Sequence, residues 1–321
     1  MIGLSVRTER FPMRIKASWG ELSEREVLIV RLDHPDGTWG EGEAAPLEPY
    51  DGVSMSQVRA ALDAYAEILR SIEPTADVLE ACKAQRDLPQ ALAAIDLALW
   101  DHASRRTQTP LSTLIDPRAV GAVPVNATIS ADDRAGAASA AAEAARQGFR
   151  CVKVKVGVGD DAGRLAAVRA AVGPEVGIRV DANGAWETPE YALANLRALE
   201  PVGLELCEEP VHGVEALRAV RAQTKVPIAM DETHAPGSGA ADAVCLKITR
   251  GGITGVLHDA RDARAAGSDI YLASTFDGPR GIAAAVHVAA ALRITRSCGL
   301  ATGGLTAHDG VIDVPLTPGL A

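Results

Sequence analysis

The sequence predicts an α/β protein in which repeated βα units form a TIM-type barrel behind a smaller α+β domain. From Val123 onward, short β-rich runs alternate with alanine-rich helical stretches, a pattern typical of a parallel sheet. Ahead of that point the pattern is instead that of an antiparallel meander followed by helices. A chain of 321 residues is long enough to bury a core in both parts.

The N-terminal part begins with strand-like segments, EVLIVRL and Trp39 to Gly42, which predict the meander. Helical stretches follow from Ser54 to Arg70 and from Leu88 to Ser104. We expect an α+β domain over residues 1–118 and the barrel over residues 119–302, with residues 303–321 packing back on the first domain.

Eight runs in the second part have the length and composition of strands. Gly148 follows the helical stretch Asp132 to Gln147, and Thr188-Pro189-Glu190 is typical of a helix start. Only about ten residues separate the fifth and sixth runs, too few for an ordinary crossover helix, so we expect that helix to be reduced or missing. The eight runs begin at Val123, Cys151, Gly177, Leu204, Pro227, Ala243, Asp269 and Cys298.

Composition and cysteine spacing argue against several classes of binding partner and structural site. The 42 acidic and 32 basic residues give a formal charge of −10, so no general field attracts nucleic acid or anionic lipid. The five cysteines never occur in a CxxC spacing, which indicates neither a disulfide framework nor a zinc site. No apolar run has the length of a membrane span, and the N-terminus lacks the core of a signal peptide. These features predict a cytoplasmic protein.

The most informative segment is CVKVKV, in which one residue separates Lys153 from Lys155. Alternate residues of a strand point to the same side, so both ammonium groups are expected on one face. Taken alone, this spacing is more typical of an amphipathic strand with solvated lysines. The strands that follow favour the first interpretation.

Each of the next three predicted strands ends in an acidic residue: Asp181 in VDANG, Glu208 in CEEP and Asp231 in MDET. The carboxyl ends of barrel strands meet at one end of the barrel, where active sites of this fold are built. Three buried carboxylates repel one another, and a hard divalent cation offsets that cost. We therefore predict a metal site for one Mg²⁺, with Mn²⁺ as an alternative. Each acid by itself is equally compatible with a helix cap or a loop position.

The sixth predicted strand carries Lys247, across the barrel from the lysine pair. Lysines on both sides of a metal site suit removal of the proton next to a carboxylate, because the metal and nearby cations stabilise the enediolate that forms. The same positive field is expected to lower the pKa of the lysines toward neutrality, as a general base requires.

As a set, these residues resemble the enolase superfamily, and within it the muconate-lactonizing-enzyme subgroup. The resemblance covers nearly the whole chain and implies an N-terminal capping domain on a modified (β/α)7β barrel. The mandelate-racemase subgroup carries a histidine at the end of the seventh strand, where this sequence has Ser274 to Asp277, so that branch is disfavoured. The implied roles are acid/base catalysis for Lys155 and Lys247, contact with the substrate carboxylate for Lys153, and metal binding for Asp181, Glu208 and Asp231.

The subgroup includes dipeptide epimerases, N-acylamino acid racemases, o-succinylbenzoate synthases and cycloisomerases. Dipeptide epimerases usually carry a DxD pair near the last strand, and the segment CGLATGGLTAHDG has none. The CGLAT ending and the overall length resemble short o-succinylbenzoate synthases. The resemblance therefore leaves the substrate open.

Four further residues are candidate substrate contacts. Arg25, at the end of a loop from Trp19 to Arg25, could pair with a distal carboxylate or be an exposed loop arginine. Tyr50 lies in a turn, Pro49 to Gly52, expected at the barrel mouth. Asp277 could bind a substrate ammonium or cap the helix that begins near Pro279. Asn183 could orient a ligand or serve an Asn-Gly turn.

The leading hypothesis is a Mg²⁺-dependent racemase or epimerase that acts on an N-acylamino acid or a dipeptide-like carboxylate. The alternative is o-succinylbenzoate synthase, a syn dehydration in menaquinone synthesis in which one lysine suffices as base. A third hypothesis is a metal-binding protein on an inactivated barrel. In each case the expected partner is a small-molecule carboxylate or a metal alone. Because members of the resembled family are commonly homo-oligomers, self-association is a further expectation.

Overall fold

The computed structural model describes the whole chain except residues 18–19, 72–76, 132, 158, 304 and 321. Its first part contains an antiparallel sheet in the order β1-β2-β3, which confirms the predicted meander. Strand β2 pairs with both neighbours. Its last residue, Asp33, lies opposite Gly3 of β1 on one side and opposite Trp39 of β3 on the other. The strands are β1 (Gly3–Ala17), β2 (Gly20–Asp33) and β3 (Trp39–Ala44).

Helices cover one face of this sheet. The longest helix packs against β3, where Gly40 and Gly42 let the two backbones approach closely. Ser54 begins the second helix with a capping box, since its side chain and that of Gln57 bond reciprocally to the two backbone N–H groups. The helices are α1 (Glu48–Asp51), α2 (Met55–Leu69), α3 (Val78–Gln85), α4 (Pro89–Thr107) and α5 (Leu111–Ile115).

The second part is a curled parallel sheet of seven strands in chain order, which confirms the predicted barrel. Residues at Cys298 and Gly299 close it, because Cys298 bridges to Val125 and Gly299 bridges to Ala273. The strands are β5 (Ala127–Ile129), β6 (Cys151–Lys155), β7 (Gly177–Asp181), β8 (Leu206–Glu208), β9 (Ile228–Met230), β10 (Ala243–Leu246) and β11 (Asp269–Leu272).

Helices connect the barrel strands, with one exception. Between β9 and β10 the described chain forms only a single 3₁₀ turn, Pro236–Ser238, as the short connection predicted. The Thr188 side chain accepts a bond from the Tyr191 N–H and begins its helix as expected. The helices are α6 (Arg134–Arg146), α7 (Asp161–Val172), α8 (Pro189–Leu199), α9 (Val214–Arg221), α10 (Gly252–Ala265) and α11 (Pro279–Ala291).

Two strand predictions need correction. The run from Val123 is divided: β4 (Ala122–Pro124) pairs antiparallel with β12 (Val311–Asp313), and only the later residues join the barrel as β5. The division follows from a change of partner, since the Val125 N–H bonds to the Gly310 carbonyl and the Asn126 N–H to the Cys298 carbonyl. The eighth run forms isolated bridges rather than a continuous strand.

The C-terminal segment contacts both parts of the chain. Strand β12 lies beside β4, while the Gly319 and Leu320 N–H groups bond to side chains of Ser104 and Asp101 in α4. The expected domain boundaries at residues 118 and 302 remain a prediction. Among the described helices, none combines the length and the apolar character that crossing a bilayer requires.

Candidate active site

A cavity of about 100 Å³ lies where the carboxyl ends of the barrel strands meet residues of the first part of the chain. Charged side chains line one side of it, and small or neutral side chains line the other. Its lining consists of Leu47, Tyr50, Thr128, Lys153, Lys155, Asp181, Asn183, Asp231, Lys247, Ala273, Ser274, Thr275, Phe276, Gly299 and Thr302.

Strand alternation places the two lysines of β6 on the cavity side. Val152 and Val154 are fully buried against the helices, whereas Lys153 and Lys155 are half-buried and line the cavity. This arrangement excludes an amphipathic strand with solvated lysines. The lysines differ in their partners, because Lys153 contacts carboxylates and Lys155 contacts the amide oxygen of Asn183 at 2.5 Å.

Three buried carboxylates stand at the ends of β7, β8 and β9. Asp181 and Glu208 pair directly in register, and Asp231 follows the last residue of β9. The Lys153 ammonium lies 2.9 Å from Oδ2 of Asp181 and 2.7 Å from Oε1 of Glu208. The Lys155 ammonium lies 3.6 Å from the same Asp181 oxygen. The structure therefore brings these predicted site residues together.

Burial and charge act in opposite directions on these carboxylates. Burial raises the pKa of Glu208 to about 7, although Lys153 opposes the shift. Burial also acts to raise the pKa of Asp181, but Lys153 and Lys155 outweigh it and hold that pKa below its usual value. The same competition, with Lys247 and Arg250 as the cations, lowers the pKa of Asp231.

Lys247 follows β10 and is nearly fully buried. Its ammonium forms a close ion pair with Oδ2 of Asp231 and donates to the Tyr50 hydroxyl at 3.0 Å. Burial alone would lower the pKa of Lys247, but Asp231 outweighs burial and holds it well above its usual value. A lysine pKa near neutrality is expected only in the field of a bound cation and stays a prediction, since the charge nearest the Lys247 ammonium in this structure is the Asp231 carboxylate. Lys153 behaves in the same way beside Asp181 and Glu208.

The donor set fits a hard divalent cation. Oxygen atoms of Glu208 and Asp231 and the Cys245 sulfur lie within 4.8 Å of one another, a spacing that could hold a metal ion. Burial raises the pKa of the Cys245 thiol well above its usual value, and a protonated thiol is a poor ligand. The Asp181 carboxylate offers an oxygen donor in place of that thiol, since it shares the Lys153 ammonium with Glu208.

Several residues that the sequence analysis did not single out support the site. Tyr271 donates to Oε2 of Glu208 at 2.7 Å, and Arg250 donates to Oδ1 and to the backbone carbonyl of Asp231 at 2.9 and 2.8 Å. The only sequence signal for Arg250 is its position three residues after Lys247.

Glu209 and Glu232 directly follow two of the predicted ligands, Glu208 and Asp231. Glu209 holds the turn after β9, since its buried carboxylate accepts from the Asp231 and Thr233 N–H groups at 2.8 and 3.0 Å. Glu232 accepts from the Asn183 amide at 2.9 Å and so orients a residue that lines the cavity. Both arrangements require left-handed backbone, with φ of 40° at Glu209 and 44° at Asn183.

The predicted substrate contacts divide into two groups. Tyr50 and Asn183 line the cavity, whereas Arg25 and Asp277 do not. Residues 18–19 of the predicted loop lie outside the described residues, and Arg25 is a buried residue of β2 rather than an exposed loop arginine. Its guanidinium donates to four backbone carbonyls, which leaves its pairing with a substrate carboxylate unsupported.

Asp277 does not cap α11, so that alternative is wrong. Gly278 occupies the N-cap position, and Asp277 accepts from the Thr275 hydroxyl at 2.8 Å instead. Glu43 of β3 takes the capping role, because its carboxylate accepts from the Gly278 and Arg280 N–H groups at 2.6 and 3.2 Å. A glutamate that lies 235 residues away in the chain thus removes the need for a local cap.

The fold and the site define a barrel enzyme in which lysines and carboxylates line one cavity. Residues 136–321 match the family model described as "Enolase C-terminal domain-like", and residues 1–116 match the N-terminal domain of mandelate racemase / muconate lactonizing enzyme. The chain belongs to the enolase superfamily, in its muconate-lactonizing-enzyme subgroup.

Relatives of the chain include isomerases and lyases. The chain is 29% identical to an N-succinyl-L-Arg/Lys racemase of Bacillus cereus, over 92% of this chain and 85% of the relative. It is 38% identical to an o-succinylbenzoate synthase of Thermobifida fusca, over 61% and 64%. A dipeptide epimerase of Enterococcus faecalis, solved with Mg and L-Leu-L-Tyr, superimposes with a TM-score of 0.89 at 27% identity, covering 99% and 98%.

Proposed function

We propose that the protein is a Mg²⁺-dependent racemase or epimerase that transfers the α-proton of an N-acylamino acid or a dipeptide-like carboxylate. Racemases and epimerases among its relatives support the reaction class. Mn²⁺ is a chemically equivalent alternative to Mg²⁺ at an all-oxygen site. The proposed partner is a small-molecule carboxylate.

The observation that carries this proposal is the placement of Lys155 and Lys247. Strands β7, β8 and β9 separate β6 from β10, so the two lysines approach one cavity from opposite sides of an eight-membered barrel. Inversion at a carbon atom needs a base on one face and an acid on the other. Lys155 and Lys247 provide a base and an acid on opposite faces. An elimination needs only one base, so this placement favours racemisation or epimerisation.

Asp181, Glu208 and Asp231 are the proposed metal ligands, because all three are buried carboxylates at neighbouring strand ends. A divalent cation held there would supply positive charge that stabilises the ionised substrate. The same charge would counteract the carboxylates, which raise the pKa of the neighbouring lysines.

The residues of the chain divide the remaining work. Lys155 removes the α-proton of one enantiomer and Lys247 returns a proton to the opposite face, and for the other enantiomer these roles reverse. Lys153 keeps its proton, because Asp181 and Glu208 hold its pKa well above the usual value, and it provides a fixed positive charge for the substrate carboxylate. Tyr50 and Asn183 orient Lys247 and Lys155 through their hydrogen bonds.

The test is proton NMR in D₂O with Mg²⁺ on N-succinyl amino acids and L,L-dipeptides, with Lys155→Ala, Lys247→Ala and the exposed-surface control Lys225→Ala. Wild type and control should exchange the α-hydrogen and racemise. Each active-site variant should lose racemisation and retain exchange only with the enantiomer that faces its remaining lysine. Absence of α-exchange throughout both substrate classes would overturn the proposal.

The second candidate is o-succinylbenzoate synthase, favoured by the 38% identity to the Thermobifida fusca enzyme. In that reaction one lysine removes the α-proton and water leaves from the same face, so the opposite lysine needs only its charge. Two results together would support this candidate. The enzyme would still convert the cyclohexadiene substrate after one lysine is replaced by arginine, and it would not exchange the α-hydrogen of acylamino acids.

A further inference from the structure

The buried guanidinium of Arg25 joins the first part of the chain to the wall of the cavity. Its Nε donates to the Phe276 carbonyl at 3.0 Å, and its two terminal nitrogens donate to the Ala45 and Pro46 carbonyls, each at 2.7 Å. Arg25 and Phe276 are 251 residues apart in the chain, so this contact depends wholly on the packing of β2 against the barrel. A planar guanidinium can hold several carbonyls in fixed directions, which a single amide or ammonium cannot do.

Phe276 is the residue of this wall that most needs external support. It is half-buried, it lines the cavity, and its backbone has φ of 58°, in the left-handed region that a bulky residue rarely adopts. Within the described part of the chain, the Phe276 N–H bonds only to the Ser274 hydroxyl, at 3.3 Å. A strained residue persists where its surroundings restrain it, and Arg25 provides that restraint at the carbonyl.

We propose that Arg25 is a positioning residue that fixes Phe276 as the neutral wall of the substrate cavity and thereby sets the size of substituent that the cavity accepts. This inference rests on the proposed function for the meaning of the cavity. The described wall formed by Ala273, Ser274, Thr275, Phe276 and Gly299 carries no charge, so its restriction on the substrate is one of shape. The position of Phe276 therefore decides which side chains or acyl groups fit.

The segment is anchored from a second side as well. The Glu43 carboxylate holds the Gly278 N–H at 2.6 Å, two residues beyond Phe276. Because this bond does not involve Arg25, we expect that end to stay fixed when Arg25 is replaced and the change to be local to residues 274–277. The variant therefore tests the position of the wall rather than the folding of α11.

The first experiment reads Phe276 directly. The chain has three phenylalanines, Phe11, Phe149 and Phe276, so labelling with 4-fluorophenylalanine gives three ¹⁹F resonances, and Phe276→Leu assigns one of them. Arg25→Gln should shift and broaden the Phe276 signal and leave Phe149 unchanged. Phe11 lies opposite Arg25 across the β1–β2 ladder and is expected to respond to any replacement, so it is not used.

The matched control is Arg31→Gln, in the same strand, where the guanidinium lies 4.2 Å from the centre of the Trp39 ring. It should leave Phe276 unchanged. If Arg25→Gln does not fold, Arg25→Lys should give a smaller change of the same kind. A Phe276 resonance that keeps its wild-type shift and width in the folded Arg25 variant would overturn the inference.

The second experiment measures α-exchange of N-succinyl-alanine and N-succinyl-phenylalanine. Arg25→Gln should change the ratio of kcat/KM for the two substrates by about tenfold, mainly through KM, while Arg31→Gln should not. An unchanged ratio in a variant that still exchanges the small substrate also contradicts the inference. If wild type exchanges neither substrate, the proposed function fails. The ¹⁹F experiment alone then tests whether Arg25 fixes the position of Phe276.

Discussion

The ammonium of Lys153 lies 2.7 Å from Oε1 of Glu208, at the carboxyl ends of the barrel strands, where Glu208 is buried and the Lys153 side chain is 15% exposed. The same ammonium lies 2.9 Å from Oδ2 of Asp181. This shared cation favours the ionised form of both buried carboxylates, whereas burial favours the protonated form. It also links the stability of the barrel to the proposed metal site.

Replacing Lys153 by Met should lower the free energy of unfolding in the presence of a chelator by about 3–5 kcal/mol, because buried carboxylates lose their cation. Added Mg²⁺ should restore part of that loss. Urea denaturation with EDTA and with Mg²⁺ measures both effects. Lys155→Met is the control, since Lys155 is more exposed and its closest partner is the neutral Asn183. Equal losses for the two variants would contradict this account of the site.

The proposed ligand set can be separated from the alternative that includes Cys245. Asp181→Asn, Glu208→Gln and Asp231→Asn should each weaken Mg²⁺ binding by about 100-fold or more, since even outer-shell partners contribute 10–100-fold. Cys245→Ala should leave the affinity within about threefold of wild type, because the thiol keeps its proton. Calorimetric titration with Mg²⁺ measures these affinities. A greater loss for Cys245→Ala than for Asp181→Asn would favour the cluster of Glu208, Asp231 and Cys245.

His287 should make the protein less stable in mild acid. Its ring is buried in α11, its Nδ1 accepts from the Ser112 N–H at 3.2 Å, and burial lowers its pKa from 6.5 to about 4. Between these values the unfolded chain binds a proton that the folded chain does not, so stability falls as pH falls from 6.5 toward 4. A shift of this size corresponds to at most about 3 kcal/mol.

His287→Gln should flatten that part of the stability profile, as measured by urea denaturation at a series of pH values. His258→Gln is the matched control, because His258 is an exposed histidine of α10. If both variants follow the wild-type slope, His287 does not contribute to acid sensitivity.

Gly42 should be intolerant of any side chain, although it has no unusual backbone angle. A Cβ atom there would lie 2.0 Å from the Ala94 carbonyl oxygen in α4, and the contact is with backbone that cannot move aside. Gly42→Ala should therefore destabilise the protein by about 3 kcal/mol. Gly255→Ala is the control, since a Cβ at Gly255 meets nothing within 4 Å, and alanine in a helix should stabilise by up to about 1 kcal/mol. Thermal unfolding of both variants tests the difference.

Much of the site was predictable because its signals are local. The alternation of Lys153 and Lys155 depends on the two-residue period of a strand, and Asp181 and Glu208 each end a run that reads as a strand. The short connection after Asp231 likewise indicated the missing helix. The first barrel strand was predicted as one run, but its early residues pair with β12 and Val125 bridges to Cys298. These partners lie near the end of the chain, so no local pattern indicates the division.

The supporting residues were not predictable in the same way. Arg250 and Tyr271 carry no motif of their own. The bonds that the Glu209 carboxylate accepts from the Asp231 and Thr233 N–H groups accompany a left-handed backbone at Glu209, which strand alternation does not predict. Such contacts depend on the exact approach of side chains from different strands, which no local pattern encodes.

The sequence by itself determined the order of strands and helices, the lysines and carboxylates at the strand ends, and the reaction class that they suit. These features follow from residue type and periodicity along short segments. Only the tertiary structure decided that Arg25 holds Phe276, that Glu43 caps α11 and that buried carboxylates hold the pKa values of Lys153 and Lys247 above their usual range. Each of these depends on distances between residues from separate segments, because hydrogen bonds and buried charges act over a few ångströms of space rather than along the chain.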